Sequence, residues 1–254
     1  MLTIRAEQMN NLERAQEARF RDDLVEQLKS FAPRLCEIVG EAAVQQAVRR
    51  GLAKADSYGF TYRGPARFYT ELTFVLGANF DTDPQLPWAA RILNDKHIAN
   101  QMSRADFLYK GMNEYLDRVA GRENVNAIAA LQSLQLIWPS IEPTLSVAGD
   151  REIVNLFSSI YPEKAQYMGE DIALSVIRSA ERTAQDLAVP SSIGTMLFSG
   201  LMLSFGHGVL NDPLYPWISS SISESSRGTG EERAKKLIKK TKLYLDRVLA
   251  YYLG

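Results

Sequence analysis

Two stretches of the chain, GANFDTDPQLPWA at 77–89 and GHGVLNDPLYPWI at 206–218, carry Gly, Asp-Pro and Pro-Trp at one constant offset of 129 residues. Extended without gaps, the same offset aligns 25–119 with 154–248 and yields 22 identities over 95 positions. Pro33 meets Pro162, Gly40-Glu41 meets Gly169-Glu170, Arg104-Ala105 meets Arg233-Ala234, and YLDRV at 115–119 recurs at 244–248. A repeat of this length restricts the chain to two tandem copies of one module. The expected organisation is module 1 over 1–137, module 2 over 151–254, and between them a connector, WPSIEPTLSVAGD at 138–150, which has two prolines, a glycine and no helical period.

The period of the apolar residues sets the fold class. Phe20, Leu24, Leu28 and Phe31 step by three or four and predict a helix that Pro33 interrupts. Val44, Ala47, Val48 and Leu52 predict a second helix over 36–57, left at Tyr58-Gly59. A third, over 65–76, opens with Pro65 and carries Phe68, Leu72, Val75 and Leu76. Segments 99–120 and 122–137 read the same way, and alternation of period two is nearly absent, so the chain is expected to be all-α. In the last helix Ala234, Leu237, Ile238, Thr241, Leu245, Val248, Leu249 and Tyr252 form one stripe. Lys235, Lys236, Lys239, Lys240 and Lys242 lie off that stripe and read as a solvated face, while the polar SSSISESSRGTGEE before it reads as a loop.

The residues shared by both copies are expected to be scaffolding. Asp83-Pro84 and Asp212-Pro213 suit turns, and Pro87 and Pro216 suit the first positions of short helices. Trp88 and Trp217 are expected in a corner between helices, against Gly77 and Gly206. Neighbouring Asp and Arg on a helix point in different directions, so Arg118 is expected to clamp Asp83, and Arg247 to clamp Asp212.

Reactive chemistry has few anchors. His97 and His207 are the only histidines, neither has a histidine at the matching position, and no Cys or His pair at metal spacing accompanies them. The DTDP run resembles the start of a calcium loop, but no Gly and terminal Glu follow at the needed spacing, and Leu210 stands at the position matching Asp81. GxSxG, Walker A and GxGxxG patterns do not occur. No cofactor, metal or catalytic residue is therefore expected. With 29 basic against 30 acidic residues there is no basic excess to draw nucleic acid. A content of 46% hydrophobic and 23% charged residues excludes disorder as the main state. Cys36 is the only cysteine, so no intramolecular disulfide can form, and neither a secretory leader nor a membrane span is expected. These features together predict a cytoplasmic location.

MLTIRAEQM, the YGF helix exit and above all FVLGANFDTDPQLPWA at 74–89 resemble small bacterial proteins encoded beside VgrG, PAAR and toxin genes in type VI secretion islands. The resemblance covers roughly residues 1–95, and the chain departs from the short members by carrying a second module. Such islands hold toxins, their immunity proteins, and chaperones or adaptors that load them. The resemblance implies a non-enzymatic accessory factor whose partner is a secreted effector, a chaperone or adaptor first and an immunity protein second. An enzyme with an unrecognised site is the third reading.

Overall fold

The computed structural model describes residues 6–140, 149–223 and 228–253. The described residues form an all-α protein with no strand. The elements are α1 (Ala6–Phe31), α2 (Pro33–Val39), α3 (Glu41–Ser57), α4 (Arg63–Leu76), α5 (Pro87–Asn94), α6 (Gln101–Val119) and α7 (Val125–Ile137). After the segment 141–148 come α8 (Asp150–Ile160), α9 (Pro162–Met168), α10 (Glu170–Asp186), α11 (Ser191–Phe205), α12 (Pro216–Ser223) and α13 (Gly230–Leu253). Both ends of α2, α3 and α5 lie 129 residues before the corresponding ends of α9, α10 and α12.

Two sequence expectations change in the structure. The helix expected over 36–57 is two helices: Pro33 opens α2 at its first position, and Gly40 separates it from α3. The polar stretch expected as a loop is helical as far as Ser223: Ile218 is buried in the second-half core, and the hydroxyls of Ser219 and Ser221 bond back to the carbonyls of Pro216 and Trp217. Its residues 224–227, and 141–148 of the expected connector, lie outside the described residues.

Packing follows the apolar stripes. In the first half α3 lies along α4, and Phe60, Tyr69, Leu72, Phe80 and Leu108 fill the space they share with α6. In the second half α10 lies along α11 over Phe157, Ile177, Leu197, Leu201 and Leu237. Each fully buried side chain of this size contributes about 1.5–3 kcal/mol. The cores are not sealed off by sequence: Leu214 joins the cluster of Leu24, Leu28, Val44 and Val48, and Tyr161 and Tyr167 pack on the first-half core. Helix α7 leaves α6 and lies on α13 and α8, where Leu134 and Trp138 enter the second-half core, so packing runs across the segment expected to divide the modules.

Candidate functional site

The halves meet where Gly77 and Gly206 end α4 and α11. Both have positive φ, +97° and +98°, a conformation costly for any residue with a Cβ. A Cβ on Gly77 would face Asp212 and the Phe205 carbonyl, and one on Gly206 would face Asp83 and the Leu76 carbonyl. Each glycine therefore gives room for the other half, and not for the tryptophan expected beside it.

Into that contact the two buried carboxylates reach across. Asp83 accepts from the His207 backbone N–H at 2.9 Å, and Asp212 accepts from the Ala78 N–H at 2.8 Å. The second oxygen of each closes its own turn, Asp83 with Gln85 N–H at 2.9 Å and Asp212 with Leu214 N–H at 2.8 Å. All four donor and acceptor positions match at the 129-residue offset, an isologous exchange within one chain. Burial pushes the Asp83 carboxyl up, but the bonds from His207 and Gln85 outweigh it and hold the group below its ordinary value. For Asp212 burial prevails over the Ala78 and Leu214 bonds, and its carboxyl lies above the ordinary value.

The arginine clamp is not formed. Arg118 and Arg247 are exposed, because the helical register that buries Tyr115, Val119, Tyr244 and Leu245 turns them outward. The matched arginines that do hold the fold are Arg104 and Arg233. Arg104 donates to the Tyr58 carbonyl at 2.7 Å and Arg233 to that of Leu187 at 2.6 Å, tying α6 to the end of α3 and α13 to the end of α10. The recurrence of Arg104-Ala105 as Arg233-Ala234 at the 129-residue offset is the sequence signal for this role.

Trp88 lies against Gly111 of α6, where a Cβ would come within 2.5 Å of its ring. The matching position on α13 is Lys240, whose ammonium reaches Ser220, and Trp217 is accordingly half-buried, its ring 5.6 Å from Tyr244. Pro87 and Pro216 open α5 and α12 as expected, and Pro84 and Pro213 follow the carboxylates of their turns. His97 is exposed. Among the described residues no group of three or more His, Cys, Asp or Glu side chains is placed to hold a metal ion.

Three features distinguish the halves. The first half encloses a polar cluster: Asp81, 2% exposed, accepts from Lys54 at 2.7 Å through both oxygens and from the Tyr58 hydroxyl at 3.1 Å. Burial, then the Asp81 charge, pushes the Tyr58 phenol up to about 12. Nearby, Arg50 donates to Asn79 and to the Asn211 carbonyl. In the second half Leu210, Thr183, Leu187, Ser179 and Gly208 stand at the positions of Asp81, Lys54, Tyr58, Arg50 and Asn79.

The second distinction is a cap. Trp138, fully buried, donates its indole N–H to the Ile238 carbonyl at 3.1 Å and rests on Gly200, while α7 covers α13 beside it. Beneath, Ala234, Leu197, Thr241 and Leu245 are buried. Their first-half counterparts Ala105, Phe68, Met112 and Leu116 are only half-buried, and Tyr109 and Met102 on the same stripe of α6 are 54% and 49% exposed.

The third distinction is a lysine. A cleft of 580 Å³ opens between the halves, bounded by α2, α7, α8, α9 and the C-terminal ends of α6 and α13. Lys164 of α9 stands in its wall where α2 offers Leu35.

Comparison with protein-family models, curated proteins and solved structures gives no match. No helix among the described residues is long and apolar enough to cross a membrane.

Proposed function

We propose that the chain is a non-enzymatic protein-binding accessory factor, a cytoplasmic chaperone or adaptor for a secreted effector of the type VI kind, built from two copies of one helical module. The 22 identities, the repeated helix bounds and the reciprocal Asp83 and Asp212 bonds support the two-copy reading.

The observation that carries the binding role is the open face of Phe68, Met102, Tyr109, Met112 and Leu116. At the matching positions of the second half a helix and an indole ring lie on the surface. An amphipathic helix of the effector, with an aromatic anchor on its apolar side, fits the open face as α7 and Trp138 fit the covered one. Exposed aromatic groups of this kind dominate the energetics of helix-in-groove interfaces.

The test is co-expression with the effector encoded next to the gene, for the wild type and for Tyr109→Glu. A chaperone raises the soluble effector and co-purifies with it, and Tyr109→Glu weakens the complex by about 2 kcal/mol or more while its helical circular dichroism is unchanged. Full co-purification of the Tyr109→Glu variant would remove this face from the proposal. Suppression of toxicity with no requirement for export would instead establish the immunity role.

A further inference from the structure

Lys164 is a buried cation where the matching position of the first half carries Leu35. Its side chain is 7% exposed, and the Leu203 carbonyl, 2.6 Å away, takes one of its three donors. Burial lowers its pKa to about 8 against the opposing Coulombic pull of Asp83. One structural role is counter-ion to Asp83; Asp212, equally enclosed and with the same turn and cross-half bonds, has Leu35 at the matching position and draws on the charge of Arg50 instead. The Leu203 carbonyl in the last turn of α11 and the Asp83 charge offset part of the desolvation cost of a cation at a position that leucine fills in the other half.

Its surroundings indicate what it serves. Lys164 lines both the 580 Å³ cleft and an adjoining inner cavity of 110 Å³, together with the Ser204 and Tyr115 side chains. Outward from it the cleft wall carries Ile160, Phe157, Phe205 and Val248 and six tyrosines, with Arg34, paired with Glu37 at 3.1 Å, as the other cation on the wall. A volume of several hundred cubic ångströms, mostly apolar and with a few convergent polar groups, has the form of a small-molecule site. We propose that the cleft binds an amphipathic monocarboxylate, its hydrocarbon body between the halves and its carboxylate on the Lys164 ammonium. This site shares only Leu116 with the helix-binding face and stands independently of it.

Calorimetric titration of the full chain with dodecanoate, dodecan-1-ol and dodecyltrimethylammonium tests the assignment. The wild type is expected to bind dodecanoate about tenfold more tightly than the alcohol, the increment of one charge-assisted hydrogen bond, and the ammonium most weakly. Lys164→Met should bring acid and alcohol to equal affinity with alcohol binding retained, and Lys96→Met, on the exposed surface outside the cleft, should leave the preference intact. Should Lys164→Met not fold, reductive methylation of the wild type separates the same outcomes: dodecanoate slows labelling of Lys164 and dodecan-1-ol does not. Equal affinities for acid and alcohol in the wild type, equal labelling with both, or a preference surviving Lys164→Met would overturn the proposal. So would tighter binding of a leucine-rich peptide with a free C-terminal carboxylate, which would assign the site to a chain end.

Discussion

Around Asp81 the first half gathers a buried carboxylate, a half-buried ammonium and two phenols, while the matching volume of the second half holds Leu210, Leu187 and Phe198. Around these two interiors α3 and α10 keep the same bounds at the 129-residue offset, α4 and α11 the same end, and α6 and α13 the same start. A helical frame of this kind is therefore set by its periodicity, its glycine exits and its proline starts, and it tolerates opposite core chemistries provided each is internally satisfied. The polar version is the more brittle, because removing one member leaves the others buried without partners.

Exchanging residues between the halves probes that contrast directly. The largest effect is expected from Asp81→Leu, which copies the second half at one position and strands Lys54 and Tyr58; urea unfolding should show a loss of about 3 kcal/mol. Adding Lys54→Thr and Tyr58→Leu completes the copy, and the triple variant should regain most of that loss. A triple variant no more stable than the single one would mean that the two halves do not tolerate exchange.

Next in size is a pH contrast between the crossed carboxylates. Asp83, held below its ordinary value, contributes stability above its unfolded pKa that is lost as pH falls through the folded one. Asp212, raised by burial, acts oppositely: its contribution is full below the unfolded pKa and disappears as pH rises through the folded one. Asp83→Asn should therefore flatten the acid side of the stability profile measured by denaturant midpoints, and Asp212→Asn should steepen it. Shifts of the same sign in both variants would show that the pair is electrostatically equivalent.

The smallest effect concerns helix exits. Gly59 and Ala188 leave α3 and α10 at matching positions with φ of +77° and +50°, and only the second carries a Cβ in that region. Ala188→Gly should raise stability by about 0.5–1 kcal/mol, read as a shift in thermal midpoint, and Gly59→Ala should lower it by a similar amount.

Much of the frame is legible in the sequence because it depends on neighbours along the chain. Helical stripes, Pro87 and Pro216 at helix starts and Gly59 at a helix exit are local decisions. The partners of Asp83 and Asp212 are not legible, since their donors lie 124 and 134 residues away, and an intramodule arginine is the nearer candidate in sequence. Trp88 packs on Gly111 and not on Gly77; the mismatch of Gly111 with Lys240 is the trace of this in the sequence, and it points away from a corner shared by both copies. Lys164 leaves one trace, a charge aligned with Leu35, which gains meaning only when both are seen to border the same cleft.

The crossed carboxylates also order events during synthesis. Helices α1 to α6 leave the ribosome well before the amide of His207 has been made, so the Asp83 turn emerges with one of its acceptor sites still hydrated. Ring closures spanning 124 and 134 residues come late and slowly. Until then the Asp83 carboxylate oxygen and the Ala78 amide on the nascent N-terminal half keep water as their partner, and the seam between the halves closes only once the second half is made.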